Sequence, residues 1–138
     1  MDSLQSFAIS AAGMEVERTR VEVASMNLAN ANTVQSPGAP AFQPLRVLAT
    51  ASGNFASLVE GALLPVAAIE PAGGQPRTVF DPGHPLADGR GFVSYPGVDA
   101  ATEMVTLMSA TRAYEANVAA MNTTRALALK TLDIGRAS

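Results

Sequence analysis

The residues that could do chemistry are few, and the single histidine is the first of them. His84 lies between Gly83 and Pro85, in a run of turn-forming residues. Zinc takes several protein ligands, usually cysteine, histidine or carboxylate. The 138 residues include no cysteine, and no cluster of carboxylates adjoins His84. The pattern therefore predicts a turn residue with a local hydrogen bond rather than a metal ligand or a catalytic base.

The remaining motifs give no stronger signal for catalysis. Residues 88–91, Asp-Gly-Arg-Gly, lack the Gly-Lys-Ser/Thr ending of a phosphate-binding loop, and no Gly-x-Ser-x-Gly nucleophile turn is present. Glu15, Glu17 and Glu22 fit a solvated helix face better than an acid–base pair. The tripeptide that starts at Asn122 matches the glycosylation pattern but lies in a predicted helix. We predict no enzymatic activity, no metal and no cofactor.

Composition excludes several partner classes. The net charge of −3 argues against nucleic acid, which calls for a basic face, and the nine Lys and Arg residues are scattered. No stretch reaches the roughly 18 apolar residues of a membrane span. Residues 1–5 lack the basic start and apolar run of a Sec-type signal peptide, so we expect none. Aromatic residues make up only 5% of the chain, so bulky core residues are scarce.

The elements that would position any site follow from the distribution of glycine and proline. Of the eleven glycines and nine prolines, all but Gly13 and Gly135 lie between Pro37 and Gly97. Both residue types interrupt helices. The distribution predicts three segments: an N-terminal helix in residues 1–34, a middle β/loop segment in 35–97, and a C-terminal helix in 98–138.

The N-terminal helix, predicted over residues 4–31, carries a heptad seam of the kind that two helices share. Its apolar members recur at alternating spacings of three and four: Leu4, Phe7, Ala11, Met14, Val21 and Leu28. Arg18 and Ser25 interrupt the seam, and polar residues at such positions can fix register or partner. Gly13 weakens the helix by roughly 1 kcal/mol relative to alanine.

The C-terminal helix, predicted from Val98 to Ile134, is free of glycine and proline. Asp99 is placed to cap its first turn. The seam members that we expect to pack between subunits are Met104, Leu107, Tyr114, Val118, Met121 and Leu132. The N-terminal helix is too short and alanine-rich to cover this helix. The predicted fold is mainly α, with the two terminal helices paired as a coiled coil and apolar surface left over for other subunits.

The middle segment contains four short apolar stretches, in residues 42–48, 63–69, 78–80 and 91–95, separated by turn clusters. This arrangement favours a small β-rich region. An extended loop that wraps on neighbouring subunits is the alternative.

Several segments resemble the flagellar basal-body rod and hook proteins. Residues 25–33 contain the Asn-Leu-Ala-Asn-x-x-Thr run that ends a long helix in that family, and residues 103–105, 114–118 and 129–132 are similar to its C-terminal end. Residues 81–89 and 91–99 are similar to the small proximal-rod members. The signature residues are Asn27, Leu28, Ala29, Asn30, Thr33, Glu103, Met104 and Asn117.

The resemblance implies a structural subunit of the proximal rod, located in the periplasmic part of the basal body. Such a subunit assembles with its own copies and with other rod proteins into a hollow tube that transmits torque and lines the export channel. It implies contact with the MS-ring and base junction proteins, and export by the flagellar type III apparatus without a cleaved signal. The amides of Asn27, Asn30 and Asn32 either cap the helix end or bond to a neighbour's backbone.

Three alternatives stay open at the level of sequence. The chain could be a soluble coiled-coil adaptor or export-associated binding protein, which would form a stable heterodimer. It could be a sister proximal-rod protein, against which residues 81–88 argue. An enzyme is the third, and it would require turnover that depends on His84 or a glutamate.

Overall fold

The computed structural model, which describes residues 3–52 and 64–136, has two long helices and, between them in the sequence, a β-containing middle. The elements in chain order are α1 (Ser3–Asn30), β1 (Leu45–Ser52), β2 (Leu64–Pro71), β3 (Arg77–Phe80), β4 (Phe92–Tyr95) and α2 (Ala100–Arg136). The mainly α fold with a small β-containing middle is therefore confirmed. The helices lie close to their predicted bounds, and the strands fall on the last three apolar stretches and the end of the first. Leu63, in the second stretch, lies outside the described residues.

Local hydrogen bonds mark the start of α2 and the end of α1. At the start of α2, a side-chain oxygen of Asp99 accepts from the backbone N–H of Ala101 at 3.0 Å, and the other accepts from the Thr102 hydroxyl at 2.8 Å. The predicted N-cap is thus confirmed. At the end of α1, the Asn30 amide donates to the carbonyl of Met26 at 2.8 Å. That bond runs back along the helix to a carbonyl of the preceding turn, and the backbone N–H of Ala31 closes the last turn by donating to the carbonyl of Leu28 at 3.2 Å.

The four strands form two separate two-stranded sheets, in which β1 pairs with β2 and β3 with β4. The β3–β4 pair is antiparallel, with Arg77 opposite Tyr95 and Phe80 opposite Phe92. The two phenylalanine rings meet edge to face at 5.3 Å between centroids. Arg77 lies over the ring of Tyr95 at 5.2 Å. Cross-strand side-chain pairs of this kind hold a short hairpin together where few backbone bonds are available.

Contacts divide the chain into two compact units, and each helix contributes to both. The first unit comprises residues 1–19, 48–68 and 109–138, and the second comprises residues 20–47 and 69–108. In the first unit, Ser10 and Val16 of α1 and Ala110 of α2 are buried.

The second unit has buried apolar residues in the end of α1 and in β4. Val23, Ala24 and Val93 are buried there. The backbone of Gln35 donates to the carbonyl of Ser94 at 3.1 Å, which joins the chain after α1 to strand β4. The backbone of Ala72 donates to the carbonyl of Pro44 at 2.7 Å, just before β1.

Two glycines let two loops of the second unit cross in contact. A Cβ atom added at Gly97 would overlap the carbonyl oxygen of Gln75, and one added at Gly74 would overlap the carbonyl oxygen of Gly97. Only glycine leaves room for backbone to approach backbone this closely. The crossing fixes the chain immediately before the α2 cap.

Candidate assembly site

The signature segment at the end of α1 is built around a buried amide. Asn27 is fully buried, with 0% of its surface exposed. Its Nδ2 donates to the carbonyl oxygen of Leu45 at 2.7 Å, and its Oδ1 accepts from the Leu45 backbone N–H at 3.0 Å. A primary amide both donates and accepts, so it satisfies both backbone groups of one residue. This contact belongs to the chain's own backbone, and the helix-capping alternative for Asn27 is wrong.

The neighbouring signature residues behave differently. Asn30 donates back to the carbonyl of Met26, one turn earlier in the helix, and its Oδ1 lies 3.4 Å from the hydroxyl of Thr33. The backbone N–H of Thr33 also donates to the carbonyl of Asn30 at 3.0 Å. Leu28 is half-buried and Ala29 is exposed. Thus Asn30 and Thr33 organise the exit from the helix, while Asn27 ties the helix to β1.

The signature residues of α2 lie far apart along that helix. Glu103 is half-buried, and its backbone N–H donates to the carbonyl of Asp99 at 3.0 Å. Met104 is exposed. Asn117 is half-buried against α1, where a Cβ atom at Gly13 would lie 2.9 Å from its Nδ2 and 3.1 Å from its Oδ1. Sequence reasoning treated Gly13 only as a weak point of the helix, but its lack of a side chain makes room for this amide.

The predicted seam of α1 does not coincide with the face that this chain buries. Leu4 and Ala11 are exposed, whereas Phe7, Met14, Val21 and Leu28 are half-buried. The fully buried positions of α1 are others: Ser10, Val16, Val23, Ala24 and Asn27. The predicted seam of α1 is therefore only partly covered within the chain.

The seam of α2 divides in the same way. Leu107, Val118 and Met121 are half-buried. The other three predicted members are exposed, namely Met104, Tyr114 and Leu132. Further large apolar side chains of α2 are exposed as well, including Val105, Met108, Leu127, Leu129 and Ile134. Exposed large apolar side chains in this number favour association of α2 with a partner.

The turn that holds the only histidine has a local structural role. The backbone N–H of Leu86 donates to Nδ1 of His84 at 3.1 Å, as the turn assignment predicted. Four residues on, one carboxylate oxygen of Asp88 accepts from the backbone N–H groups of Arg90 and Phe92 at 2.8 and 2.9 Å. The bond from Phe92, then that from Arg90, lowers the pKa of Asp88, because both favour the charged form.

The described residues show neither a metal centre nor a membrane helix. Within 3–52 and 64–136, no group of three or more histidine, cysteine or acidic side chains is arranged to hold a metal ion. None of the helices in these ranges combines the length and hydrophobicity that a bilayer span requires.

Comparison with known proteins identifies the family. Residues 90–134 match the model of the flagellar basal body rod FlgEFG protein C-terminal region. The flagellar basal-body rod protein FlgC of Yersinia enterocolitica is 36% identical over 136 residues, which cover 99% of this chain and all of that protein. The chain belongs to the FlgC family of flagellar basal-body rod proteins. The FlgC proteins of Salmonella typhimurium strain LT2 and Bacillus subtilis strain 168 are 35% and 33% identical, again over 99% of this chain and their own full lengths.

Membership in the FlgC family confirms the resemblance read from the sequence. The family-model match begins just before β4 and runs through most of α2, so it includes Glu103, Met104 and Asn117. The matches to the relatives extend over α1 as well. Two contributors to this site escaped sequence reasoning: Leu45 as the partner of Asn27, and Gly97 at the loop crossing. Of these two residues, only Gly97 gave a signal in the sequence, because it follows Pro96 in a turn-forming pair.

Proposed function

We propose that the chain is a structural subunit of the bacterial flagellar rod, without catalytic activity of its own. Full-length similarity to several FlgC proteins carries the proposal. The subunit assembles with copies of itself and with other rod proteins in the proximal rod, where it transmits torque. The terminal helices of neighbouring subunits pack along the central channel, and the middle segment, residues 35–97, makes lateral contacts.

Exposed apolar surface on α2 supports assembly through the helices. Leu132, a predicted seam residue, is 64% exposed in the single chain. Burying a leucine side chain is worth roughly 1.5–3 kcal/mol, so several such residues supply enough free energy for association. We propose that the seams of α1 and α2 pair as coiled coils in the assembled rod. The polar residues Arg18 and Arg125 would then set register between helices.

Location and export follow from the same proposal. A rod subunit lies in the periplasmic part of the basal body, contacts the MS-ring and base junction proteins, and arrives through the flagellar type III apparatus without a cleaved signal. Each of these points is separable from the structural role, because a subunit can be exported without being incorporated.

Deletion of the gene in its source bacterium tests the proposal. We expect electron micrographs of purified basal bodies to show inner-membrane ring structures without rod, hook or filament. Expression of the wild-type chain from a plasmid should restore all three. Normal flagella in a deletion strain that has no second copy of the gene would contradict the proposal. Incorporation is checked by immunogold labelling of the chain within isolated basal bodies.

A further inference from the structure

We infer that Asn27 is a positioning residue that fixes the start of β1 to the end of α1 by acting as a one-residue substitute for a β-strand. Both backbone polar groups of Leu45 bond to one amide, at 2.7 and 3.0 Å. In a ladder of strands, a partner strand would provide the same donor and acceptor. Asn27 therefore takes the place of a strand at the first residue of β1.

The opposite side of the chain at this point is also held. The carbonyl of Pro44, the residue before Leu45, accepts from the backbone N–H of Ala72 at 2.7 Å. Adjacent residues of an extended chain direct their backbone groups to opposite sides. The start of β1 is thus bonded to α1 through Leu45 and to the chain after β2 through Pro44. Its backbone is held from both sides.

The chemistry of the contact calls for a side chain that carries both a donor and an acceptor. The carbonyl of Leu45 needs a donor and its N–H needs an acceptor, and Asn27 supplies both while fully buried. A carboxylate would accept from the N–H but would face the carbonyl oxygen with a second oxygen. Alanine would leave both backbone groups without a partner, and a buried polar group without a partner is costly.

The test compares N27D with N27A in the full chain, because an aspartic acid can restore the contact when it is protonated. Its O–H then donates to the Leu45 carbonyl while the other oxygen accepts from the N–H. Burial raises the pKa of this carboxyl above its ordinary value of about 3.9, so the protonated form is favoured in the folded chain. The stabilisation of N27D over N27A is therefore present in full below the unfolded pKa and is lost as pH rises through the raised folded pKa.

We expect urea unfolding at pH 7 to show an equilibrium constant about tenfold or more higher in both variants than in the wild type. At pH 4.5, N27D should regain part of this loss and N27A none. Asn32 is exposed, so N32D serves as the matched control and should follow the wild type across the range. Equal behaviour of N27D and N27A at every pH would overturn the inference, as would wild-type stability of N27A.

A second measurement separates positioning from general destabilisation. Amide hydrogen exchange, followed by NMR, should be faster at Leu45 in N27A by a factor of about ten or more. The amides of the β3–β4 ladder, such as that of Val93, should keep their protection. Equal acceleration at Leu45 and Val93 would show that the amide has no particular role at the start of β1. The experiment uses only the isolated chain, so its result is independent of the proposed role in the rod.

Discussion

Gly13 of α1 faces the side-chain amide of Asn117 of α2, and a single methyl group at Gly13 would lie 2.9 Å from the amide nitrogen. The two residues lie in the same compact unit. Glycine inside a helix costs about 1 kcal/mol relative to alanine. Its presence here is explained by the space that Asn117 occupies, so the local cost and the contact between helices are coupled.

The coupling predicts that G13A and N117A are not additive. G13A alone gains helix propensity but displaces the Asn117 amide. We therefore expect G13A to raise the free energy of unfolding by less than the roughly 1 kcal/mol that a glycine-to-alanine change gives in a helix. In the G13A/N117A chain the methyl group has room. The free energy of unfolding of the double variant should therefore be about 1 kcal/mol higher than the sum of the two single effects predicts. Urea denaturation followed by circular dichroism measures the cycle. Gly135, which has no neighbour within 4 Å of an added Cβ, gives the control: additivity of G135A with N117A is expected, and additivity of G13A with N117A would refute the coupling.

The loop crossing at Gly97 predicts a large effect of a single methyl group. G97A would place its Cβ against the carbonyl oxygen of Gln75, which is backbone and cannot rotate away. We expect a loss of about 1–3 kcal/mol in the free energy of unfolding, the usual cost of overpacking. G89A is the matched control, because a Cβ at Gly89 meets nothing within 4 Å. Equal stability of G97A and G89A would show that the two loops are not in contact.

The cap at Asp99 predicts a dependence of helix stability on acid. The hydrogen bond from the Thr102 hydroxyl, followed by the backbone bonds from Thr102 and Ala101, lowers the pKa of Asp99 below its ordinary value of 3.8. A lowered pKa means that the carboxylate stabilises the fold above pH 3.8 and that this contribution is lost as pH falls through the lowered value.

We therefore expect the melting temperature of the wild-type chain to fall relative to that of D99N as pH is lowered from about 5 to about 2, because D99N has no carboxyl to protonate at this position. D99A should be less stable than the wild type at neutral pH, since it removes the cap. A constant difference between wild type and D99N over this range would contradict the assignment. Thermal unfolding monitored by circular dichroism gives both quantities.

The proposed seam predicts that one exposed leucine of α2 matters for assembly and that another matters less. Leu132 and Leu127 are 64% and 60% exposed, respectively. They lie about 140° apart around the helix at 3.6 residues per turn. Neither L132E nor L127E should change the stability of the isolated chain by more than about 0.5 kcal/mol, because surface substitutions seldom do. We expect L132E to reduce swimming in a complemented deletion strain more strongly than L127E. Equal motility of the two strains would contradict the proposal that Leu132 belongs to the seam.

Local signals explain why the helices could be predicted closely. The absence of glycine and proline from Val98 to Ile134 allowed one continuous helix, and the carboxylate of Asp99 met the free N–H groups of its first turn. Both effects act over a few residues. The turn at His84 followed from the same kind of information, since its hydrogen bond spans only two positions.

The buried face of α1 could not be predicted in the same way. The heptad pattern selected Leu4, Phe7 and Met14, whereas the chain buries Val16, Val23 and Asn27. A helix face is chosen by the surface against which it packs, and that surface comes from residues distant in sequence. The bond from Asn27 to Leu45, 18 residues away, is of this kind. Nothing in residues 25–33 alone distinguishes Asn27 from Asn30, although one ties the helix to a strand and the other bonds back into its own helix.

The contact between Asn27 and Leu45 gives the two positions different freedom to change. The amide bonds only to main-chain atoms of Leu45, so any residue that tolerates an extended conformation, apart from proline, presents the same two groups. At position 27 the side chain itself does the bonding, and an aspartic acid supplies the same donor and acceptor only when it is protonated. Evolutionary drift is thus restricted at the helix end of the contact and permitted at the strand end. Related chains should differ at residue 45 while they retain asparagine at residue 27.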